Sequence, residues 1–137
     1  MARILVVDDD PLFRALMRRA LDQRSHDVVL ATDGKTAREA LAAETFDAIV
    51  CDIVLPDETG LQILRDMRAS TPSMALIAIS GGKSAGRNIP IDVLHLAQTL
   101  GTDAVVKKPF ELSNFVATVE GAMSNKRNST RSLSARS

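Results

Sequence analysis

The chain has no tryptophan, no tyrosine and a single cysteine among its 137 residues. Each scarcity removes a class of protein. Cys51 cannot form an internal disulfide, and it lies in an apolar run, so a buried, reduced thiol is expected. His26 and His95 stand far apart with no cysteine cluster beside them, so a zinc donor set is missing. No apolar run approaches the roughly 20 residues that cross a bilayer, and no membrane insertion is expected. The opening MARILVVDDD turns acidic after four apolar residues, unlike a secretory signal, which points to the cytoplasm. There is no internal repeat.

What is present fits one domain of common size, with 45 % hydrophobic residues to build a core. The net charge of zero hides an asymmetry. Residues 124 to 137 carry Lys126, Arg127, Arg131 and Arg136 and no acid, whereas residues 1 to 123 hold 13 basic against 17 acidic side chains. The tail has one leucine and no aromatic residue, so a disordered, solvated end is expected, and no direct nucleic-acid binding.

Short apolar runs at Ile4–Val7, Val28–Ala31, Ala48–Cys51, Ala75–Ile79 and Ala104–Val106 read as buried strands. Helical patterns lie between and after them. Asp10-Pro11 is a cap followed by proline at the first helical position, opening a stripe of Leu12, Phe13, Leu16, Met17, Ala20 and Leu21. Further helices are expected over Thr36–Ala43, Leu61–Ala69, Pro90–Leu100 and Leu112–Met123, with Leu61, Leu64 and Met67 of the third turned inward. Five strand-helix units argue for a parallel sheet covered on both faces, a three-layer α/β sandwich of flavodoxin-like (βα)5 type. Chemistry in such folds sits at the carboxyl ends of the strands.

The stretch DAIVCDIVLPDETG shows what lies there. A buried strand ends in Asp52, a carboxylate that is costly to hide without a partner or a task. The first strand ends in Asp8-Asp9, the fourth in Ser80 and the fifth in Lys107-Lys108. With strand order 2-1-3-4-5, Asp8, Asp9 and Asp52 converge. Three clustered carboxylates need compensation, and one lysine with one Mg²⁺ balances them. A carboxylate so placed is a plausible nucleophile toward phosphorus. Asp10 reads as a helix cap, Asp57 and Glu58 as solvated loop charges, and Lys107 as a surface lysine.

VVDDD at 6–10, DIVLPDETG at 52–60, ISGG at 79–82 and KPF at 108–110 together resemble the receiver domain of two-component response regulators. The resemblance covers residues 3 to about 123. It implies that Asp52 is the phosphoacceptor and that Asp8, Asp9, Asp52 and the main-chain carbonyl of Val54 hold Mg²⁺. Ser80 would be the switch hydroxyl and Lys108 the lysine that pairs with the phosphoryl group. Pro56 and Gly60 match the loop that leaves the phosphorylated strand. A histidine kinase or histidine phosphotransfer protein would be the donor, with a downstream protein target. The chain would be a phosphoacceptor that promotes its own phosphorylation from small donors and its own dephosphorylation, not an enzyme on outside substrates. A monomeric, stand-alone protein is expected; the alternative is a receiver fragment of a longer regulator.

Two departures stand out. Val105 occupies the position where many receivers carry a switching aromatic residue. The connection SGGKSAGRNIP, 80–90, is long and holds three glycines, with Lys83 and Arg87 available to close over a phosphorylated edge. Val54 and Gly82 match loop positions that tune hydrolysis in the family. Three other readings compete. An aspartate-nucleophile phosphatase would use Asp8-x-Asp10, but needs more chain, and Asp10-Pro11 already starts a helix. A flavin module lacks its phosphate loop after the first strand. A degenerate receiver acting only by interaction fits poorly with a full set of key residues.

Overall fold

The computed structural model describes residues 1–81, 95, 99 and 101–136. Within them run β1 (Arg3–Val7), α1 (Pro11–Asp22), β2 (Asp27–Ala31), α2 (Gly34–Ala43) and β3 (Ala48–Asp52). Then come α3 (Gly60–Ser70), β4 (Ala75–Ser80), β5 (Ala104–Lys107) and a final helix, α4 (Leu112–Arg136). The five strands form one parallel sheet in the order β2-β1-β3-β4-β5, the flavodoxin-like order expected.

Alternation along each strand divides the core in two. Ile4, Val6, Val50, Ile77 and Ile79 face a cluster with Met17 and Leu21 of α1 and Phe115 and Val119 of α4. Leu5, Val7, Ile49, Cys51, Leu76 and Ala78 face Ala37 of α2 and Ile63 and Leu64 of α3. The central strands are apolar on both faces because both faces are covered. Cys51 is a buried free thiol.

Local signals set the helix starts. The Asp10 side chain accepts from the N–H groups of Leu12 and Phe13, and Pro11 follows. Asp33 and Thr36 form a reciprocal capping box, so α2 starts at Gly34, two residues before the expected Thr36. Thr59 caps α3. Leu12 departs from its expected inward place and is 63 % exposed, while its neighbour Phe13 turns inward against Lys108 and Phe110. In α3 the buried positions are Gly60, Ile63 and Leu64, while Leu61 and Met67 are half-buried.

The largest difference lies at the C-terminal end. The apolar stripe of α4 stops at Met123, where the helix was expected to end in a disordered tail, but the structure continues the helix through Arg136. No glycine or proline interrupts 124–136, and each added residue continues the hydrogen-bonded ladder. Lys126 Nζ meets Asp103 Oδ1 at 3.2 Å, which ties the first turn past Met123 to the body of the protein. The expected helix over Pro90–Leu100 and the long connection with Gly82, Lys83 and Arg87 lie outside the described residues, apart from His95 and Thr99, which are helical and exposed.

Candidate phosphoacceptor site

The sheet register brings the strand ends together. Val7 pairs with Cys51, so Asp8 and Asp52 each follow on adjacent strands. Asp52 pairs with Ile79 and Ser80 with Lys107, which places Ser80 one step beyond Asp52 and beside the start of the Lys108-Pro109 segment. The Lys108 N–H donates to the Ser80 carbonyl at 2.7 Å. Five of the residues expected at the site therefore meet: Asp8, Asp9, Asp52, Ser80 and Lys108.

Four of the five are buried: Asp8, Asp52, Ser80 and Lys108, while Asp9 is exposed. Lys108 Nζ lies 2.8 Å from Asp8 Oδ2 and 3.0 Å from Asp52 Oδ2. The Asp10 N–H donates to Asp8 Oδ1 at 2.9 Å, and the Val54 N–H to Asp52 Oδ1 at 2.9 Å. Among the described residues two buried polar atoms receive no well-directed hydrogen bond: Asp8 Oδ2, whose charge is met by Lys108 Nζ at 2.8 Å, and Ser80 Oγ. Buried polar atoms are rarely left so, and Ser80 Oγ, which has no ion pair either, points to a group that arrives from outside.

The electrostatics follow from burial. Desolvation raises the Asp52 carboxyl above its ordinary value, against the Val54 N–H and Lys108, which pull it down. Desolvation raises Asp8 as well, again opposed by Lys108. Burial pulls the Lys108 ammonium down, but the bond to Asp8 and the charges of both carboxylates outweigh it, so Lys108 is raised overall. The cluster is short of positive charge.

Oxygen atoms of Asp8, Asp9 and Asp52 lie within 4.8 Å of one another. An all-carboxylate donor set fits a hard divalent cation such as Mg²⁺ and not zinc.

Residues that sequence reasoning passed over complete the site. The Phe13 ring sits 4.5 Å from Lys108 Nζ and packs on Phe110, which stacks on Phe115. Phe13 was legible only as part of an apolar stripe. Arg14 donates to the Asp8 carbonyl at 2.8 Å. Asp57 and Glu58, expected as solvated charges, are both engaged. Asp57 accepts from the N–H groups of Gly34 and Lys35, and Glu58 pairs with Arg38. Gly60 has to be glycine, since a Cβ there would lie 2.0 Å from the Asp52 carbonyl. Lys107 is exposed and Asp10 caps α1, as expected. His26 is no ligand: its Nδ1 accepts from the Ala2 N–H and its Nε2 faces Glu120. Val105 is half-buried against the α2–α3 face.

A family model described as the response regulator receiver domain matches residues 4–120. The chain belongs to the response regulator receiver family. Among curated relatives, the response regulator MprA of Mycolicibacterium vanbaalenii is 31 % identical over 115 residues, covering 84 % of this chain and 47 % of that protein. MprA of Mycobacterium leprae is 30 % identical over 121 residues, 88 % of this chain and 50 % of that one. This receiver chain thus spans about half the length of the curated relatives it matches. Among solved structures, a CheY-like receiver domain protein from Methanospirillum hungatei aligns with a TM-score of 0.84 at 22 % identity, covering 94 % of this chain and 98 % of that one. NtrX from Brucella abortus aligns at a TM-score of 0.85 and 26 % identity, covering 99 % of this chain and 29 % of that one. Accepting a phosphoryl group is the general role of this family. Among the described residues no helix is long and apolar enough to cross a membrane.

Proposed function

We propose that Asp52 accepts a phosphoryl group from a histidine kinase or histidine phosphotransfer protein, with Mg²⁺ held by Asp8, Asp9, Asp52 and the Val54 carbonyl. The observation that carries this reading is the buried Lys108 ammonium set between Asp8 and Asp52, with the buried Ser80 at the end of the neighbouring strand. An Asp52 carboxylate oxygen forms the bond to phosphorus as the bond to the donor nitrogen breaks, and that nitrogen keeps the electron pair. Lys108 then pairs with a phosphoryl oxygen in place of its Asp52 contact. Ser80 Oγ, with no hydrogen-bond partner among the described residues, donates to another. Bound Mg²⁺ would neutralise negative charge on the carboxylates and the transferring group.

The added charge would change the surface around β5 and the flanking helices and so alter the binding of a protein target, or the phosphoryl group would pass onward in a relay. With Val105 on β5, signalling by an aromatic swing is not part of the reading. We extend the same reading to a cytoplasmic, monomeric protein that does not itself bind nucleic acid. The test is transfer from a labelled phosphohistidine protein. The label should move to this chain as a hydroxylamine-sensitive acyl phosphate. Label that stays on the donor contradicts the reading, and repeated turnover of a phosphate ester would favour a phosphatase.

A further inference from the structure

We infer that Arg38 is a positioning residue for the phosphorylation site, acting through Glu58 on the loop that carries Val54. The inference rests on the proposed role of that loop as a ligand for Mg²⁺.

The β3–α3 loop is closed at its base. The Gly60 N–H donates to the Ile53 carbonyl at 2.7 Å, and Val54 forms an isolated antiparallel bridge with Thr59. Leu55 anchors the loop in the core, but its tip, Pro56 to Glu58, carries no apolar side chain into that core, and Pro56 and Asp57 are exposed. The tip is held instead by α2. Asp57 accepts from the Gly34 and Lys35 N–H groups at 2.8 and 2.9 Å, where the helix N-terminus favours a carboxylate. Glu58 passes across Gly34 so closely that a Cβ there would lie 2.2 Å from its Oε2. Beyond Gly34 it meets the Arg38 guanidinium through two bonds, Nε to Oε2 at 3.0 Å and an Nη to Oε1 at 2.9 Å. The same Nη reaches Asp66 Oδ2 on α3 at 2.9 Å.

A two-bond fork fixes orientation as well as distance, which a lysine cannot reproduce. The pair is partly exposed, with 37 % of the Arg38 and 25 % of the Glu58 side chain open to solvent, so its share of global stability is small. Its leverage is on position. Three residues, the buried Leu55 among them, separate Val54 from Glu58, and a slack tip loosens the Val54 carbonyl from the carboxylates it must join. Groups that orient a metal ligand without touching the metal change affinity in this way.

The test is Mg²⁺ binding by calorimetry, with amide exchange at Val54 and Gly60 measured in chelator. Arg38→Met, which keeps the stem, should weaken Mg²⁺ binding about fivefold and speed exchange at both amides. Glu58→Gln should do the same, and the double variant should be no worse than either alone. Arg38→Lys should recover only part of the loss. Asp66→Asn, which leaves the loop contact in place, should bind like the wild type. Wild-type affinity and exchange in Arg38→Met would overturn the inference, as would an equal loss in Asp66→Asn. A wild type that binds no Mg²⁺ would instead sink the proposed metal site, and the exchange data alone would then decide the role of Arg38.

Discussion

Lys108 Nζ lies 3.0 Å from Asp52 Oδ2, and the two residues are 56 positions apart in the chain. Both side chains are buried. One ammonium therefore serves two carboxylates, since Asp8 Oδ2 is equally close at 2.8 Å. Removing it strands two acids in a dry site. Lys108→Met should destabilise the protein by about 3 kcal/mol in chelator, read from urea unfolding. Added Mg²⁺ should restore part of the loss. Unchanged stability would mean that the carboxylates are better solvated than their burial implies.

The same cluster sets a pH dependence. Burial raises the Asp8 and Asp52 carboxyls, so the native state holds protons that the unfolded state has already released. For a raised acid, stability falls as pH rises from the ordinary aspartate value through the raised one. Asp8→Asn removes one such group. Its unfolding temperature in chelator should match the wild type below the ordinary aspartate range and exceed it at neutral pH. A variant less stable than the wild type at neutral pH would contradict the assignment.

Among the described residues Ser80 Oγ is buried without a hydrogen-bond partner, and so gains little before phosphorylation. Ser80→Ala should leave the unphosphorylated protein as stable as the wild type or slightly more so. It should still lower the phosphorylated fraction reached at a fixed donor concentration. A marked loss of stability would show that the hydroxyl already has a structural partner.

Gly60 allows α3 to start against the back of Asp52. In Gly60→Ala the new methyl would meet the Asp52 carbonyl, and the loop must shift. A loss of about 2 kcal/mol is expected from such overpacking, with weaker Mg²⁺ binding as its functional counterpart. Thermal melts and calorimetry on one preparation would check both.

The sheet order and the strand ends were legible because their signals are local. A short apolar run closed by Asp8, Asp52 or Lys108 marks its own end, the alternation with helices makes the sheet parallel, and the flavodoxin-like order then brings the ends together. The contacts that complete the site were not legible. Arg38 and Glu58 meet across 20 residues, and Phe13 reaches Lys108 only because α1 and α4 share one face of the sheet. Nothing local distinguishes Glu58 from a solvated loop acid. Leu12 sat on the expected stripe, yet the period of a helix does not say that its neighbour Phe13 alone turns inward. The reach of α4 was missed for the opposite reason: the apolar period stops at Met123, and a helix continues until something stops it.

The central claim is that Asp52 takes the phosphoryl group with help from a divalent cation. Its most direct test is phosphate incorporation from acetyl phosphate, with Mg²⁺ and with chelator, in the wild type and in Asp52→Asn. The account predicts one phosphoryl group per chain in the wild type with Mg²⁺, and none with chelator or in the variant. A folded wild type that takes up no phosphate, or an Asp52→Asn variant that labels equally well, would contradict it.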